Sequence, residues 1–201
     1  MLRPTFFRSL ITALGSVILV SCAEPGLTGP SIPTDAVLDK HSAGTLGNTV
    51  PDANLRLQAL WWKKNLKQTV KVSKTIGSSG GTITIPETGL TVAFPAGALQ
   101  SALTITITAD DKYVAYRMEP SGTRFLKDVT VTQQLNTTQL FGSTLKSQIF
   151  AAYIADDNIK LSGKVPVLEI EPSKTIFSPE LLPQAQVWVI RHFSRYMLAS
   201  G

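Results

Sequence analysis

Residues 76–108 read IGSSGGTITIPETGLTVAFPAGALQSALTITIT, and this stretch decides the fold class. Apolar residues alternate with other residues in three successive runs, at positions 83–85, 90–94 and 103–107, and glycine- or proline-containing turns separate the runs. Alternation places the apolar side chains of a strand on one face, and short strands joined by such turns are typical of antiparallel sheets. The stretch therefore predicts antiparallel strands that bury one face each.

The same period of two begins at residue 69 and persists towards the end of the chain, with no long helical period. Further strands are expected near residues 148–154, 165–171 and 186–192. Two longer segments, 134–147 and 172–185, are expected to be loops. Many short β-branched runs separated by turns indicate an antiparallel sandwich or barrel. We assign residues 69–201 to an all-β, antiparallel β-sandwich.

The turn at residues 95–99 has a local physical explanation. Pro95 has no N–H to donate to a ladder and so ends the preceding strand. Gly97 permits a positive φ, after which Ala98 and Leu99 can tuck under the sheet. We interpret these residues as carriers of the fold rather than of chemistry.

The N-terminus has the composition of an export signal. Arg3 and Arg8 supply a basic region, and a mainly apolar run follows at residues 10–20. This run is shorter than the ~20 residues that a membrane-spanning helix needs, whereas it suits a cleaved signal peptide. Removal of residues 1–21, which carry two arginines and no acidic residue, lowers the net charge from +5 to +3. So mild a charge does not indicate nucleic-acid binding.

The signal ends in Leu19-Val20-Ser21-Cys22, which resembles the lipobox of bacterial lipoproteins. The resemblance implies transfer of a diacylglyceryl group to the Cys22 thiol, cleavage before Cys22, acylation of the new amino terminus, for example with palmitate, and attachment to a bilayer. The alternative is a plain secretory signal with a chance cysteine. Cys22 is the only cysteine, so the chain forms no internal disulfide and its stability must come from a packed core.

A flexible tether is predicted at residues 22–54, which are rich in Gly, Pro, Ser, Thr and Asp. A short helix or linker is expected at residues 55–68, because the apolar residues of the segment 55–66 recur at helical spacing. Trp61 and Trp62, followed by two lysines, could contact a lipid interface. Alternatively, one tryptophan caps the core of the sandwich and the lysines are solvated.

Four sequence elements occur in the order found in the ZU-five domain, a β-sandwich named for zonula occludens proteins and netrin receptors and also found in ankyrins. The elements are the glycine and proline turns of residues 76–108, the MEPSGTRF segment at 118–125, the DVTVT strand at 128–132, and His192-Phe193-Ser194. Residues 69–199 are similar to this family, with Met118 where phenylalanine is usual. The resemblance implies the same sandwich fold.

The family resemblance also suggests chemistry at residues 192–194, because some family members cleave themselves within a His-Phe-Ser tripeptide. There, Ser194 would attack the carbonyl of Phe193 while His192 assists proton transfer. Period-two spacing would place His192 and Ser194 on one strand face, together with Trp188 and Ile190. The alternative is a local pair at a strand end, with Phe193 filling the core.

Other catalytic and metal-binding patterns are weak in this sequence. Residues 77–81 match G-x-S-x-G, but a strand rather than a helix is predicted after them, so we reject a nucleophile elbow. No cysteine cluster or His-x-x-x-His is present, and neither a metal nor a cofactor is expected. The acidic pairs at 110–111 and 156–157 are interpreted as turn caps rather than cation sites.

The sequence thus predicts a bacterial lipoprotein of the cell envelope, anchored in a bilayer through Cys22 and facing the periplasm or the cell exterior. Its sandwich would serve as a binding or structural module for a protein or glycan partner. Trp61, Trp62, Tyr113 and Tyr116 are the candidates for a glycan platform. The alternative function is autoproteolysis between Phe193 and Ser194, and a general hydrolase is disfavoured.

Overall fold

The structure is a computed structural model that describes residues 55–154, 156 and 158–201. All regular secondary structure in these residues is β-strand, so the described part contains no helix that could cross a membrane. The predicted signal peptide at 1–21, the lipidation site Cys22 and the tether at 22–54 lie outside the described residues.

Thirteen strands form in the described part of the chain. They are β1 (Arg56–Ala59), β2 (Lys71–Ile76), β3 (Gly81–Ile85), β4 (Leu90–Phe94), β5 (Leu103–Ala109), β6 (Ala115–Glu119), β7 (Arg124–Gln134), β8 (Ile149–Ile154), β9 (Lys164–Pro166), β10 (Glu169–Glu171), β11 (Ser173–Phe177), β12 (Pro183–His192) and β13 (Arg195–Ser200).

The strands form two antiparallel sheets that pack against each other. The eight-stranded sheet has the order β10-β8-β13-β6-β5-β2, with β1 added beside β13 and β9 beside β1. The five-stranded sheet has the order β11-β12-β7-β4-β3. The prediction of an all-β, antiparallel β-sandwich is therefore confirmed.

The main core lies between the two sheets and follows from the alternation in the sequence. In β4, Leu90, Val92 and Phe94 are buried, and the same alternation buries Ile105 and Ile107 of β5. A second apolar cluster includes residues of β1, β8, β9 and β13. Strand β13 contributes to both clusters, so both of its faces are buried. Burial on two faces explains why β13 lacks polar alternation.

The turn at residues 95–99 forms as predicted. Strand β4 ends before Pro95, Gly97 adopts a φ of +78°, and Ala98 and Leu99 are buried. The carbonyl of Ala98 accepts a hydrogen bond from the backbone N–H of Leu126 at 3.0 Å. The turn thus connects the end of β4 to the start of β7.

The G-x-S-x-G match at residues 77–81 is followed by β3 and not by a helix, so it does not form a nucleophile elbow.

The prediction of a helix over residues 55–66 is wrong. Residues 56–59 form β1, which pairs antiparallel with β13 and with β9. Trp62 is buried in the main core, and its Nε1 donates to the carbonyl of Asp110 at 2.8 Å. Trp61 is 44 % exposed. One tryptophan therefore completes the core, and β1 belongs to the sandwich rather than to a linker before it.

The predicted loop at 172–185 is also corrected. It contains β11 and the first residues of β12, which pair antiparallel with each other. Strand β11 lies at the edge of its sheet and has no fully buried position. Without a buried face, its sequence lacks the alternation from which a strand is predicted. The other predicted loop, 134–147, contains no strand beyond the last residue of β7.

Candidate functional site

The tripeptide His192-Phe193-Ser194 lies where the chain crosses from one sheet to the other. Strand β12 ends at His192 in the five-stranded sheet, and β13 starts directly after Ser194 in the eight-stranded sheet. The prediction that His192 and Ser194 share a strand face with Trp188 and Ile190 is wrong. The pairing register shifts between Ile190 and His192, and Ser194 lies outside both strands.

Phe193 fixes this crossing through both its side chain and its backbone. Its ring is fully buried and meets the rings of Phe94 and Phe125 edge to face, with centroid distances of 6.0 and 4.7 Å. Its N–H donates to the carbonyl of Thr123 at 2.9 Å, and its carbonyl accepts from the N–H of Gly122 at 3.0 Å. The Phe193–Ser194 peptide bond therefore has a hydrogen-bond donor on its carbonyl oxygen.

The partners of the crossing come from the segment 118–125. Besides Gly122 and Thr123, Met118 contributes: it donates its N–H to the carbonyl of Ser194 at 2.9 Å. Two segments about seventy residues apart in the sequence thus form one hydrogen-bonded unit.

His192 is oriented by hydrogen bonds to its backbone neighbour and to Tyr196. Burial raises the pKa of the Tyr196 phenol, so its hydroxyl keeps its proton and donates it to the His192 carbonyl at 2.9 Å. The His192 Nδ1 lies 3.3 Å from that hydroxyl and 3.5 Å from the Phe193 carbonyl oxygen. Both oxygens can accept a hydrogen from Nδ1 in the tautomer that carries one there.

Ser194 is 5 % exposed, and in the described part of the chain no hydrogen bond joins its hydroxyl to His192. A serine nucleophile is normally activated by a base within hydrogen-bond reach. The crossing therefore brings the two predicted residues together, with His192 directed at the carbonyl oxygen of Phe193 rather than at the serine hydroxyl.

Two carboxylates near His192 were not predicted from the sequence. Glu169 and Glu171 occupy alternate positions of β10, and one carboxylate oxygen of each and a ring nitrogen of His192 all lie within 4.8 Å of one another. Burial, and then the neighbouring Glu169 charge, raise the pKa of Glu171 to about 7, while Arg191 acts in the opposite direction. The Glu-x-Glu spacing on a strand was the available signal.

The edge strand β11 and the turn after it form an exposed apolar surface. Ile176, Phe177 and Leu181 are its members and are called the β11 edge surface below. Beside β11, a groove is lined by residues 145–149, with Lys146 and Lys174 as its charged side chains and with no acidic residue. This region offers apolar contacts, positive charge and an edge strand at one place.

The remaining candidates from the sequence are accounted for by the fold. Trp62, Tyr113 and Tyr116 are buried, so the four aromatic candidates do not form a glycan platform. Asp110 accepts from the N–H groups of Lys112 and Tyr113, and Asp156 accepts from that of Asn158. These aspartates cap turns, as the sequence predicts.

Comparison with known proteins finds no matching family model and no matching curated protein.

Proposed function

We propose that this protein is a bacterial lipoprotein of the cell envelope, whose ZU-five-like sandwich binds an extended segment of a protein partner along β11. The observation that carries the proposal is the β11 edge surface. An edge strand has backbone N–H and C=O groups that a further strand can pair with. Exposed apolar side chains beside such an edge mark interaction sites in soluble proteins.

The chemistry of the partner follows from the groove beside β11. Ile176 and Phe177 offer contacts for apolar side chains, and Lys146 and Lys174 are uncompensated by any acidic residue in the groove lining. An extended segment that alternates apolar and acidic residues would contact these apolar side chains and neutralise the two lysines. Main-chain pairing would supply affinity, and the side chains would supply specificity.

The turn between β11 and β12 adds support. Leu181 adopts a φ of 60° and is 74 % exposed. A non-glycine residue in this conformation costs roughly 1–3 kcal/mol, and an exposed leucine gains no compensating burial within the chain. A partner that covers Leu181 would provide that burial.

The edge proposal is tested by photo-crosslinking in cells that express the full chain. A benzoyl-phenylalanine in place of Phe177 is expected to give adducts of discrete mass, and Ile176→Asp in the same chain is expected to abolish them. Leu126, which is 63 % exposed on β7, is the matched control position and should give no adduct. Equal labelling from positions 126 and 177, or none from 177, would contradict the proposal.

The anchoring proposal makes a separate prediction about Cys22. The wild-type chain should incorporate labelled palmitate and sediment with membranes. Cys22→Ser should lose the label entirely and move to the soluble extracytoplasmic fraction, because the thiol is the acceptor of the lipid. Continued membrane attachment of the variant would show that another part of the chain is the anchor.

A second candidate function is autoproteolysis between Phe193 and Ser194. It is favoured by the two groups on the Phe193 carbonyl oxygen, the Gly122 N–H at 3.0 Å and His192 Nδ1 at 3.5 Å. Attack by the Ser194 hydroxyl on that carbonyl carbon would form an ester, break the C–N bond and pass the hydroxyl proton to the released amine. Water would then hydrolyse the ester to a Phe193 carboxylate and a free Ser194 hydroxyl.

Denaturing intact-mass spectrometry decides on this second function. A fragment that ends at Phe193, present in the wild type and absent from Ser194→Ala, would support it. A single uncut mass would leave residues 192–194 as a purely structural crossing, without affecting the binding proposal.

A further inference from the structure

The cluster of Glu169, Glu171 and His192 lies at one edge of the eight-stranded sheet. Strand β10 is the last strand of the eight-stranded sheet, and it also contacts β12 of the opposite sheet. The two glutamates are at alternate positions, so both side chains project from the same face of β10. His192 is the last residue of β12. The cluster therefore joins residues of both sheets, next to Pro172, at which the chain passes from β10 to β11.

Glu171 is the most buried member of this cluster. The side chain belongs to a residue that is only 8 % exposed, and among the described residues no hydrogen bond or ion pair reaches its carboxylate. Arg191 acts on Glu171 electrostatically, and its Nε lies 3.0 Å from Asp128. Two carboxylates this close repel each other, and a cation or a proton between them relieves the repulsion. Among the described residues, no ion pair at either glutamate supplies such a cation.

The position of His192 suits a metal ligand. In the tautomer with a hydrogen on Nδ1, that hydrogen points at the Tyr196 hydroxyl and the Phe193 carbonyl, and the other ring nitrogen can bind a metal. The ring of Tyr153 packs against the imidazole at a centroid distance of 5.0 Å. Metal-binding histidines are usually neutral and held in this way through the nitrogen that does not bind the metal.

We propose that Glu169, Glu171 and His192 bind a divalent transition-metal ion, zinc in the first instance, and that the ion fastens β10 to the end of β12. Two carboxylates and an imidazole are three of the four ligands of a tetrahedral zinc site, and water can supply the fourth. With bond lengths of about 2.0–2.1 Å, such ligands lie roughly 3.3 Å apart. Donor atoms already within 4.8 Å reach that spacing by small side-chain rotations, and Glu169 is exposed and free to make them.

The test is calorimetric titration of zinc chloride into the full chain carrying Cys22→Ser, after removal of bound metal with a chelator. The substitution eliminates the only thiol, which would otherwise bind zinc itself. We expect one equivalent of zinc to bind and the thermal unfolding midpoint to rise with zinc concentration. Absence of saturable binding would overturn the proposal.

Substitution of each proposed ligand tests whether that residue binds the metal. Glu169→Gln, Glu171→Gln and His192→Ala should each weaken zinc binding by at least about tenfold, since even second-shell partners are commonly worth roughly 10–100-fold. Glu87→Gln, at an exposed position in the turn after β3, and His41→Ala, at the other histidine, are the matched controls and should bind as the parent does. Unchanged binding in Glu169→Gln would overturn the assignment, and because that residue is exposed the variant is expected to fold.

Discussion

A chain that begins at residue 69 is expected to remain unfolded, whereas a chain that begins at residue 55 should unfold cooperatively like the full protein. The first chain lacks β1 and with it the buried residues Leu57, Leu60 and Trp62. Loss of a buried leucine costs about 2–5 kcal/mol and loss of a buried tryptophan about 3–5 kcal/mol when each is replaced by alanine. The sum is comparable to the whole stability of a domain, about 5–15 kcal/mol.

The removed segment also supplies pairing that no other strand replaces. Strand β1 is hydrogen-bonded to β13 on one side and to β9 on the other. The N–H of Leu60 donates to the carbonyl of Leu198 at 2.9 Å, and its carbonyl accepts from Val114 at 2.8 Å. Without β1, the edge of β13 and the residues of β9 lose these partners. Circular dichroism and urea titration of the two truncated chains measure the difference.

The role of this segment can also be tested in the full chain by replacing each of the two adjacent tryptophans, Trp61 and Trp62, with alanine. Trp62→Ala should lower the free energy of unfolding by about 3–5 kcal/mol, because the side chain is buried in the main core. Trp61→Ala should lower it by less than about 1 kcal/mol, because surface substitutions have small effects. Equal effects of the two substitutions, or cooperative folding of the chain that begins at 69, would show that β1 is dispensable.

The sandwich was predictable from the sequence where its strands bury one face. In β3, β4 and β5, alternation and turn residues agree, so local pattern and tertiary structure coincide. The sequence of β1 predicts a helix, because the strand is only four residues long and residues such as Leu55, Ala59 and Trp62 recur at helical spacing. Its strand conformation comes from pairing with β13, about 140 residues later, which a local pattern does not contain.

The candidate site was predictable only in part, for a similar reason. His192 and Ser194 do meet at one crossing, but the bulge before His192 and the change of sheet after it alter which way each side chain points. The carboxylates of Glu169 and Glu171 reach His192 from a three-residue strand in the other sheet. A search for ligand spacings along the sequence therefore misses a group that assembles across two sheets.

Phe193→Ala is expected to lower the free energy of unfolding by about 3–5 kcal/mol, the usual cost of removing a buried phenylalanine ring. Phe193 is fully buried, and its ring contacts both Phe94 and Phe125 edge to face. Phe193→Leu keeps most of the volume and should cost clearly less, about 1–1.5 kcal/mol. Urea unfolding of the three chains gives both values, and a loss below about 1 kcal/mol for the alanine variant would contradict the packing described for this ring.

The contact between Phe193 and Phe125 can be isolated by a double-mutant cycle with Phe125→Leu and Phe193→Leu. Edge-to-face ring pairs contribute about 0.5–1.5 kcal/mol beyond the area they bury, so the two effects should be non-additive by that amount. Phe125 lies in the segment 118–125, and Phe193 lies in the tripeptide between β12 and β13. Non-additivity would mean that packing of the two rings helps to hold these segments together. Strict additivity would mean that the backbone hydrogen bonds with Gly122 and Thr123, which both substitutions leave in place, hold the crossing by themselves.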